Sequence, residues 1–293
     1  MELRSRTARA IVLPEHGGRL HQLFVTADGA EHALLMSPGD PAEYSAQPHR
    51  GGSFVMAPWP NRIAGGRFQF NGREWAVPIT SGENAIHGLV AGAPWRVVAR
   101  TARVVELSCV LGEAWPWPGS VWQRIELTDS ALRLKLEVRA EREPFPAGCG
   151  WHPWFQRDVA GARAVRVAIP ASRHYALQDQ IPTGEMAAPE GQALLDGRVP
   201  LGGRRLDDCY AGLAGPIVIQ WDSLSLRMLV MSARPHVMVY TPAEAVCIEP
   251  QTCAPDAFNL EERGIPGSGF AIAAPGRPVA IECRWEWGGG VAP

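Results

Sequence analysis

Two residues, Glu249 and His152, have both a side chain and a sequence setting that suit proton transfer. Glu249 ends an apolar run, Val246-Cys247-Ile248, and is followed at once by Pro250. A carboxylate at such a strand end is partly desolvated, and desolvation raises a carboxyl pKa towards values that suit a general base. His152 lies among aromatic residues, where an imidazole serves either as an acid/base group or as a hydrogen-bonded structural residue. Glu249 is likewise compatible with an exposed strand end.

The other candidate residues lie in polar segments that interrupt the strand pattern with Gly, Pro or aromatic residues. These segments are residues 57–66, 84–89, 149–155 and 246–259. Within them, Asn61-Arg62 and His87 suit ligand binding, although Asn61-Arg62 alone is also compatible with a turn that carries a solvated guanidinium. The remaining histidines lack such a setting, and we expect them to be structural or at the surface: His16, His21, His32, His49, His174 and His236.

The sequence contains 11 tryptophans, most of which we expect in the core. Two or three of them lining a cleft would suit the apolar face of a sugar ring, because an aromatic face packs well against ring C–H groups.

The elements that must position these residues are strands, since period-two alternation of apolar and polar residues dominates the chain. Residues 132–139 alternate between four apolar and four charged side chains, and Asn71-Gly72 between two alternating runs predicts a tight hairpin. Further strands are predicted at residues 67–70, 73–77, 121–127, 163–169, 217–221, 224–231, 237–240 and 279–287. Helices are expected only as short segments around residues 41–46 or 257–263. The pattern predicts an all-β fold in one large antiparallel domain spanning residues 1–293, a sandwich or a barrel.

Composition excludes several function classes. The chain has 293 residues, 46% of them hydrophobic and 20% charged, and a formal net charge of −2, which gives no reason to expect nucleic acid as a partner. Of the 28 Lys and Arg residues only Lys135 is a lysine, and it lies on the polar face of an alternating strand. Schiff-base or pyridoxal chemistry needs a buried lysine and is therefore disfavoured.

The cysteines and the amino terminus indicate the compartment. The six cysteines contain no C-x-x-C pair and are typical of buried, reduced thiols. The apolar run at residues 10–13 is too short for a signal-peptide core, and no segment approaches the roughly 18 apolar residues of a membrane span. We therefore expect a cytoplasmic protein that binds no membrane.

Taken together, six short motifs resemble the aldose 1-epimerase (galactose mutarotase) family. They occur in the family's order between about residue 50 and residue 260. They are Asn61-Arg62-Ile63 with Gly66, His87-Gly88, His152-Pro153-Trp154-Phe155, Ile181-Pro182-Thr183-Gly184-Glu185, Leu206-Asp207-Asp208-Cys209-Tyr210 and Glu249-Pro250-Gln251. The sequence departs from the usual pattern in two places, at Gln156 and at the pair Asp208-Cys209, and both departures leave the acid/base residues in place.

The resemblance implies a large β-sandwich of the galactose mutarotase type with a monosaccharide bound in an open cleft and no metal or other cofactor. It implies that Glu249 is the general base and His152 the general acid, and that Arg62, His87 and Asp207 bind the sugar. Asn61 and Gln251 are added as sugar-binding residues by adjacency to the motifs. The implied reaction interconverts the α and β anomers of an aldohexose by acid/base ring opening and reclosure.

In this mechanism the anomeric hydroxyl loses a proton and the ring oxygen gains one. Unperturbed pKa values of about 4.3 for Glu and 6.5 for His place both groups near the forms they need. We expect Asp207, as a nearby carboxylate, to help keep His152 protonated.

Other functions remain open from the residues alone. A mutarotase for a hexose 6-phosphate or another acidic sugar would need two or more arginines converging on the cleft. A non-catalytic sugar-binding or sensing module would not need Glu249 and His152 together. A glycoside hydrolase would use two carboxylates, Asp207 and Glu249, and a metal enzyme would combine His87 and His152 with a carboxylate.

Overall fold

The alternating sequence folds almost entirely as β-strands. The computed structural model describes residues 1–162 and 164–289, and across these residues it contains 25 strands, four 3₁₀ turns and one short α-helix, α1 (Ala257–Glu262). The strands are β1 (Glu2–Arg4), β2 (Ala8–Leu13), β3 (Arg19–Ala27), β4 (Ala30–Ala33), β5 (Ser53–Met56), β6 (Arg62–Ile63), β7 (Arg67–Phe70), β8 (Arg73–Ala76), β9 (Ala85–Ile86), β10 (Arg96–Arg100), β11 (Val104–Val110), β12 (Gly119–Leu127) and β13 (Ala131–Ala140). They continue with β14 (Phe145–Ala147), β15 (Gly150–Gln156), β16 (Arg166–Ala168), β17 (Ala171–Gln178), β18 (Ile181–Ala187), β19 (Asp207–Leu213), β20 (Ile217–Trp221), β21 (Leu224–Met231), β22 (His236–Tyr240), β23 (Ala245–Gln251), β24 (Ala271–Ala273) and β25 (Val279–Gly289).

Most strands belong to two large sheets whose neighbouring strands run antiparallel. The first sheet has 11 strands in the order β1-β2-β3-β5-β15-β23-β22-β19-β17-β18, with β4 paired to β3. The second has eight strands in the order β10-β11-β12-β13-β25-β21-β20-β16. This arrangement confirms the predicted all-β fold with large antiparallel sheets.

The main core lies between the two sheets. In β13 the predicted alternation is realised, with Leu132, Leu134, Leu136 and Val138 buried and the charged residues between them turned outward. These side chains belong to the same buried cluster as Trp151 of β15 and other residues of the first sheet. Each fully buried Leu or Val contributes roughly 1.5–3 kcal/mol to folding, so this layer is what holds the sheets together.

The predictions of short elements from local sequence are largely confirmed. Asn71 and Gly72 join β7 to β8 with φ of 53° and 71°, as a two-residue hairpin loop requires. The two short helical segments predicted from the sequence are present as a 3₁₀ turn at Pro41–Ser45 and as α1. The strand predicted at residues 163–169 is shorter in the structure and spans Arg166–Ala168. Residue 163, the first residue of the predicted strand, lies outside the described residues. The prediction of one domain over residues 1–293 also includes residues outside the described ranges and stays a prediction.

The cysteines behave as their spacing predicts, since all six are buried and free. Within the described ranges, no helix has the length and apolar character needed to cross a membrane.

Candidate functional site

A cleft of about 280 Å³ lies on the first sheet, on the face turned away from the main core. Strand alternation creates this face: along β23, Val246 and Ile248 enter the core, whereas Cys247 and Glu249 point to the other side. The volume is close to the lower end of small-molecule pockets, about 300 Å³. The lining residues are His49, Asn61, Arg62, Ile86, His87, His152, Trp154, Gln180, Asp207, Tyr240 and Glu249.

The predicted acid/base residues meet in this cleft. The pairs Gly150–Gln251 and Trp154–Cys247 set the register between β15 and β23, and this register brings His152 opposite Glu249. The His152 Nε2 atom lies 3.1 Å from Glu249 Oε1. The sheet register therefore places the two side chains side by side.

Aromatic rings on both sides explain how deeply His152 is buried. Phe54 of β5 stacks on the imidazole with ring centroids 4.6 Å apart, and Trp154 stacks at 5.4 Å. The exposed fraction of the side chain is 6% for His152 and 2% for Glu249. Both groups are therefore removed from bulk water but remain on the wall of the cleft.

This burial changes the proton affinity of the pair. It raises the pKa of Glu249 well above 4.5 and lowers the pKa of His152 well below 6.5, because a low-dielectric surrounding disfavours both charged forms. A protonated Glu249 beside a neutral His152 is the state that burial favours, and it holds one proton between the two groups. Transfer of that proton across the 3.1 Å contact gives the carboxylate–imidazolium form.

The expectation that Asp207 keeps His152 protonated is wrong. After burial, the charges that act on His152 are His49, Arg19 and Arg62, and each lowers its pKa. The effect of Asp207 falls on Glu249, whose pKa it raises further. The unperturbed pKa values used in the sequence analysis therefore do not apply to this pair.

Several buried atoms of the cleft lack a partner. Across residues 1–162 and 164–289, Glu249 Oε2, His87 Nδ1, His152 Nδ1 and Trp154 Nε1 are buried and make no hydrogen bond. Buried polar atoms in folded proteins are nearly always bonded. Hydroxyl groups both donate and accept, so a polyhydroxy ligand could satisfy the donors and the acceptors of this set together.

The opposite wall of the cleft holds the predicted binding residues in one chain of contacts. Arg62 donates through Nη1 to Asn61 Oδ1 at 3.1 Å, and its Nη2 lies 3.8 Å from Asp207 Oδ2. Gln180 donates to the same Asp207 oxygen at 2.7 Å. Burial raises the pKa of Asp207, while Arg62 and Gln180 act against this rise. Asn61 therefore orients Arg62, and Arg62 and Gln180 orient Asp207.

Backbone conformation explains the His87-Gly88 motif. His87 and Gly88 both have positive φ, 60° and 73°, directly after β9, whose Ile86 pairs with Arg62 of β6. A Cβ atom on Gly88 would lie 2.0 Å from the carbonyl oxygen of Ala57, so only glycine fits there. This close approach turns the chain so that His87 faces His152, with ring centroids 5.2 Å apart.

The polar segment at residues 246–259 divides into a cleft part and a structural part. Glu249 belongs to the cleft, whereas Asp256 Oδ1 accepts hydrogen bonds from the Ala64 amide at 2.9 Å and from Asn259 Nδ2 at 2.7 Å. The Asp256 amide donates to the Arg62 carbonyl at 2.7 Å. Asp256 therefore holds the strand that carries Arg62.

Gln251 does not lie among the residues that line the cleft. Its side chain is completely buried, and Nε2 donates to the Cys253 carbonyl at 2.7 Å. The prediction rests on adjacency to Glu249, but Gln251, at the end of the same strand, is covered and bonds to the main chain instead of lining the cleft. The two departures from the family pattern also lie outside the lining: Gln156 donates to the Ala33 carbonyl, and Asp208 pairs with His174.

Sequence reasoning missed three lining residues. His49, expected to be structural or at the surface, lies on the cleft wall beside His87 and Phe54. Gln180 and Tyr240 also line the cleft, Gln180 from the tight turn between β17 and β18 and Tyr240 from β22. None of them lies within one of the six motifs, although Gln180 directly precedes the motif at residues 181–185. Of the tryptophans, Trp154 is the one among the described lining residues, against an expectation of two or three.

Within the described ranges, no group of three or more His, Cys, Asp or Glu side chains has an arrangement that could hold a metal ion.

Comparisons with known proteins identify the family of this chain. A family model described as aldose 1-epimerase matches residues 1–279. The uncharacterized protein YihR of Escherichia coli K12 is 26% identical over 218 residues, which cover 70% of this chain and 71% of YihR. Galactose mutarotase of Bos taurus is 29% identical over 196 residues, which cover 64% of this chain and 54% of the bovine protein. The crystal structure of a galactose mutarotase-like protein of Clostridium acetobutylicum has the same fold, with a TM-score of 0.86, 20% identity and coverage of 99% of this chain and 95% of that chain. Since the family model matches nearly the whole length, the chain belongs to the aldose 1-epimerase family.

Proposed function

We propose that this protein interconverts the α and β anomers of a neutral aldohexose by opening and reclosing the pyranose ring. The observation that carries the proposal is the 3.1 Å contact between His152 Nε2 and Glu249 Oε1 on the wall of a cleft of monosaccharide size. The anomeric oxygen and the ring oxygen are bonded to the same carbon. Two proton-transfer groups this close can therefore serve both oxygens at once.

The proposed reaction uses the proton that the pair holds. In the carboxylate–imidazolium form, Glu249 accepts the proton of the anomeric hydroxyl while His152 donates its proton to the ring oxygen. The C1–O5 bond breaks to give the open-chain aldehyde, rotation about C1–C2 exposes its other face, and reclosure returns both protons. Each of the two groups supplies about 10²–10⁴-fold in rate.

The opposite wall supports sugar binding. Arg62, Asn61, Asp207 and Gln180 are already linked by hydrogen bonds or ion pairing, so their positions are established before the sugar arrives. The unpartnered His87 Nδ1 supplies another contact for a hydroxyl. Such preorganisation orients the ring and lowers the entropic cost of the reaction. Gln251, buried and bonded to Cys253, has no part in this proposal.

The charges of the lining favour a neutral sugar. Arg62 is the single arginine among the described lining residues, and Asp207 already lies 3.8 Å from it. Phosphate recognition usually needs at least two cationic side chains that are free to form paired hydrogen bonds. A hexose 6-phosphate or another acidic sugar is therefore the less favoured substrate.

The test follows the optical rotation of freshly dissolved α-D-glucose and α-D-galactose, corrected for the spontaneous rate. The wild-type protein should speed the relaxation, and Glu249→Gln should lower kcat by at least about 10²-fold because Gln cannot accept the proton. Glu282→Gln, on the outer face of the second sheet, is the matched control and should keep full activity. A wild-type protein that binds these sugars without accelerating mutarotation would instead identify a sensing module.

A further inference from the structure

We propose that His49 is a substrate-contacting residue of the cleft and that the buried guanidinium of Arg19 positions it there. This inference rests on the proposed function and adds to it a binding residue and a positioning residue that lie outside every motif.

The environment of His49 suits a ligand contact. Its ring lies 5.2 Å from the His87 ring and 5.4 Å from the Phe54 ring, measured between centroids. The residue is partly exposed and lines the cleft. Burial, with a smaller effect of Arg19, lowers the pKa of His49 to about 4. At neutral pH the ring therefore offers one donor and one acceptor, as a pair of sugar hydroxyls requires.

No secondary structure holds His49 in place, because it lies in the connection between the 3₁₀ turn at Pro41–Ser45 and β5. Arg19 performs this task from β3. Its Nη2 donates to the Pro48 carbonyl, and its Nη1 donates to the Arg50 carbonyl at 3.1 Å and to the Gly51 carbonyl at 2.6 Å. The carbonyls on both sides of His49 are thus bound to one guanidinium, which restricts the backbone that carries the imidazole.

Arg19 is unusual enough to need an explanation. The residue is completely buried, and within the described chain its charge has no carboxylate partner, only carbonyl oxygens and the faces of Tyr44 at 4.0 Å and Phe54 at 5.1 Å. Burial lowers its pKa to about 10, so it remains charged at neutral pH. Burying a charge without a counterion is costly. A planar group with five donors is the side chain that can bind several carbonyls at once, and lysine cannot reproduce this geometry.

The experiment measures kcat and KM for the most active aldose with four proteins: wild type, His49→Ala, Arg19→Lys and the control His32→Ala. His32 is a partly exposed histidine whose ring bonds to the Ala27 carbonyl, away from the cleft. Loss of one neutral hydrogen bond should raise KM about 3- to 10-fold in His49→Ala with kcat nearly unchanged, because the contact is made equally in the ground and transition states. Arg19→Lys should raise KM in the same way, and His32→Ala should match wild type.

The outcomes separate the two proposals. Wild-type protein without mutarotase activity on any aldose would refute the proposed function, and with it this inference. Active wild-type protein together with an unchanged KM in His49→Ala would refute only the role of His49. A folded Arg19→Lys variant with an unchanged KM would refute the positioning role of Arg19. If Arg19→Lys does not fold, His49→Ala still decides the contact itself, and an equal rise of KM in His32→Ala would overturn it.

Discussion

The pH dependence of catalysis follows from the buried Glu249–His152 pair. The reaction needs one proton on the pair, on either group, and the profile reports the pH range in which that state dominates. With ordinary pKa values the range would extend only from 4.5 to 6.5. Burial raises the pKa of Glu249 and lowers that of His152, so the pair gains a second proton only at lower pH and loses its single proton only at higher pH.

The size of the effect can be worked out. If His152 titrated at its ordinary pKa, the one-proton state would fall about 50-fold between pH 6.5 and pH 8.5, and kcat/KM would fall with it. Since burial extends the range on both sides, we expect kcat/KM to fall by much less than about 50-fold over the same interval.

The assay is polarimetric mutarotation at several pH values in buffers of constant ionic strength, with the spontaneous rate subtracted at each pH. Circular dichroism at each pH verifies that the fold is unchanged. A descending limb with an apparent pKa near 6.5 would refute the reasoning, because it would show that His152 retains the proton affinity of an exposed imidazole.

Two further predictions concern the supporting residues. Gln180→Ala removes the amide that donates to Asp207 at 2.7 Å, and KM should rise about 3- to 10-fold. The control Gln192→Ala, at an exposed position, should leave KM unchanged. Equal KM values for the two variants would contradict the role of Gln180. Gly88→Ala should destabilise the protein by at least about 2 kcal/mol in urea unfolding, because the new methyl group meets the Ala57 carbonyl at a φ of 73°. Gly72→Ala has a similar φ of 71° but nothing within 4 Å, so it isolates the backbone cost, and an equal loss for both variants would exclude the steric explanation.

Much of the fold could be predicted because its causes are local. The alternation of residues 132–139 places every second side chain on one face, and β13 shows that pattern. The Asn71-Gly72 turn needs only two residues that tolerate positive φ. The choice between sandwich and barrel could not be made in this way, since it depends on how distant strands pair and where each sheet ends.

The site could be predicted only in part. The motifs identified Glu249, His152, Arg62, His87 and Asp207, adjacency added Asn61, and the structure brings all six to one cleft. The motifs did not reveal His49 or Gln180. Both residues lie in connections between strands, and tertiary contacts bring them to the cleft. Gln251 was wrongly added, because its position two residues after Glu249 does not show that other parts of the chain cover its side chain.

Residue types and their order were sufficient to indicate an all-β chain and an acid/base pair. The alternation of apolar and polar residues and the side chains of the motifs are both properties of the sequence itself. Only the packed structure established how that pair behaves. The register of β15 against β23 determines the 3.1 Å contact, and the rings of Phe54 and Trp154 exclude water from it. Proton affinity depends on the surroundings of a group in space, and those surroundings are assembled from strands far apart in the chain.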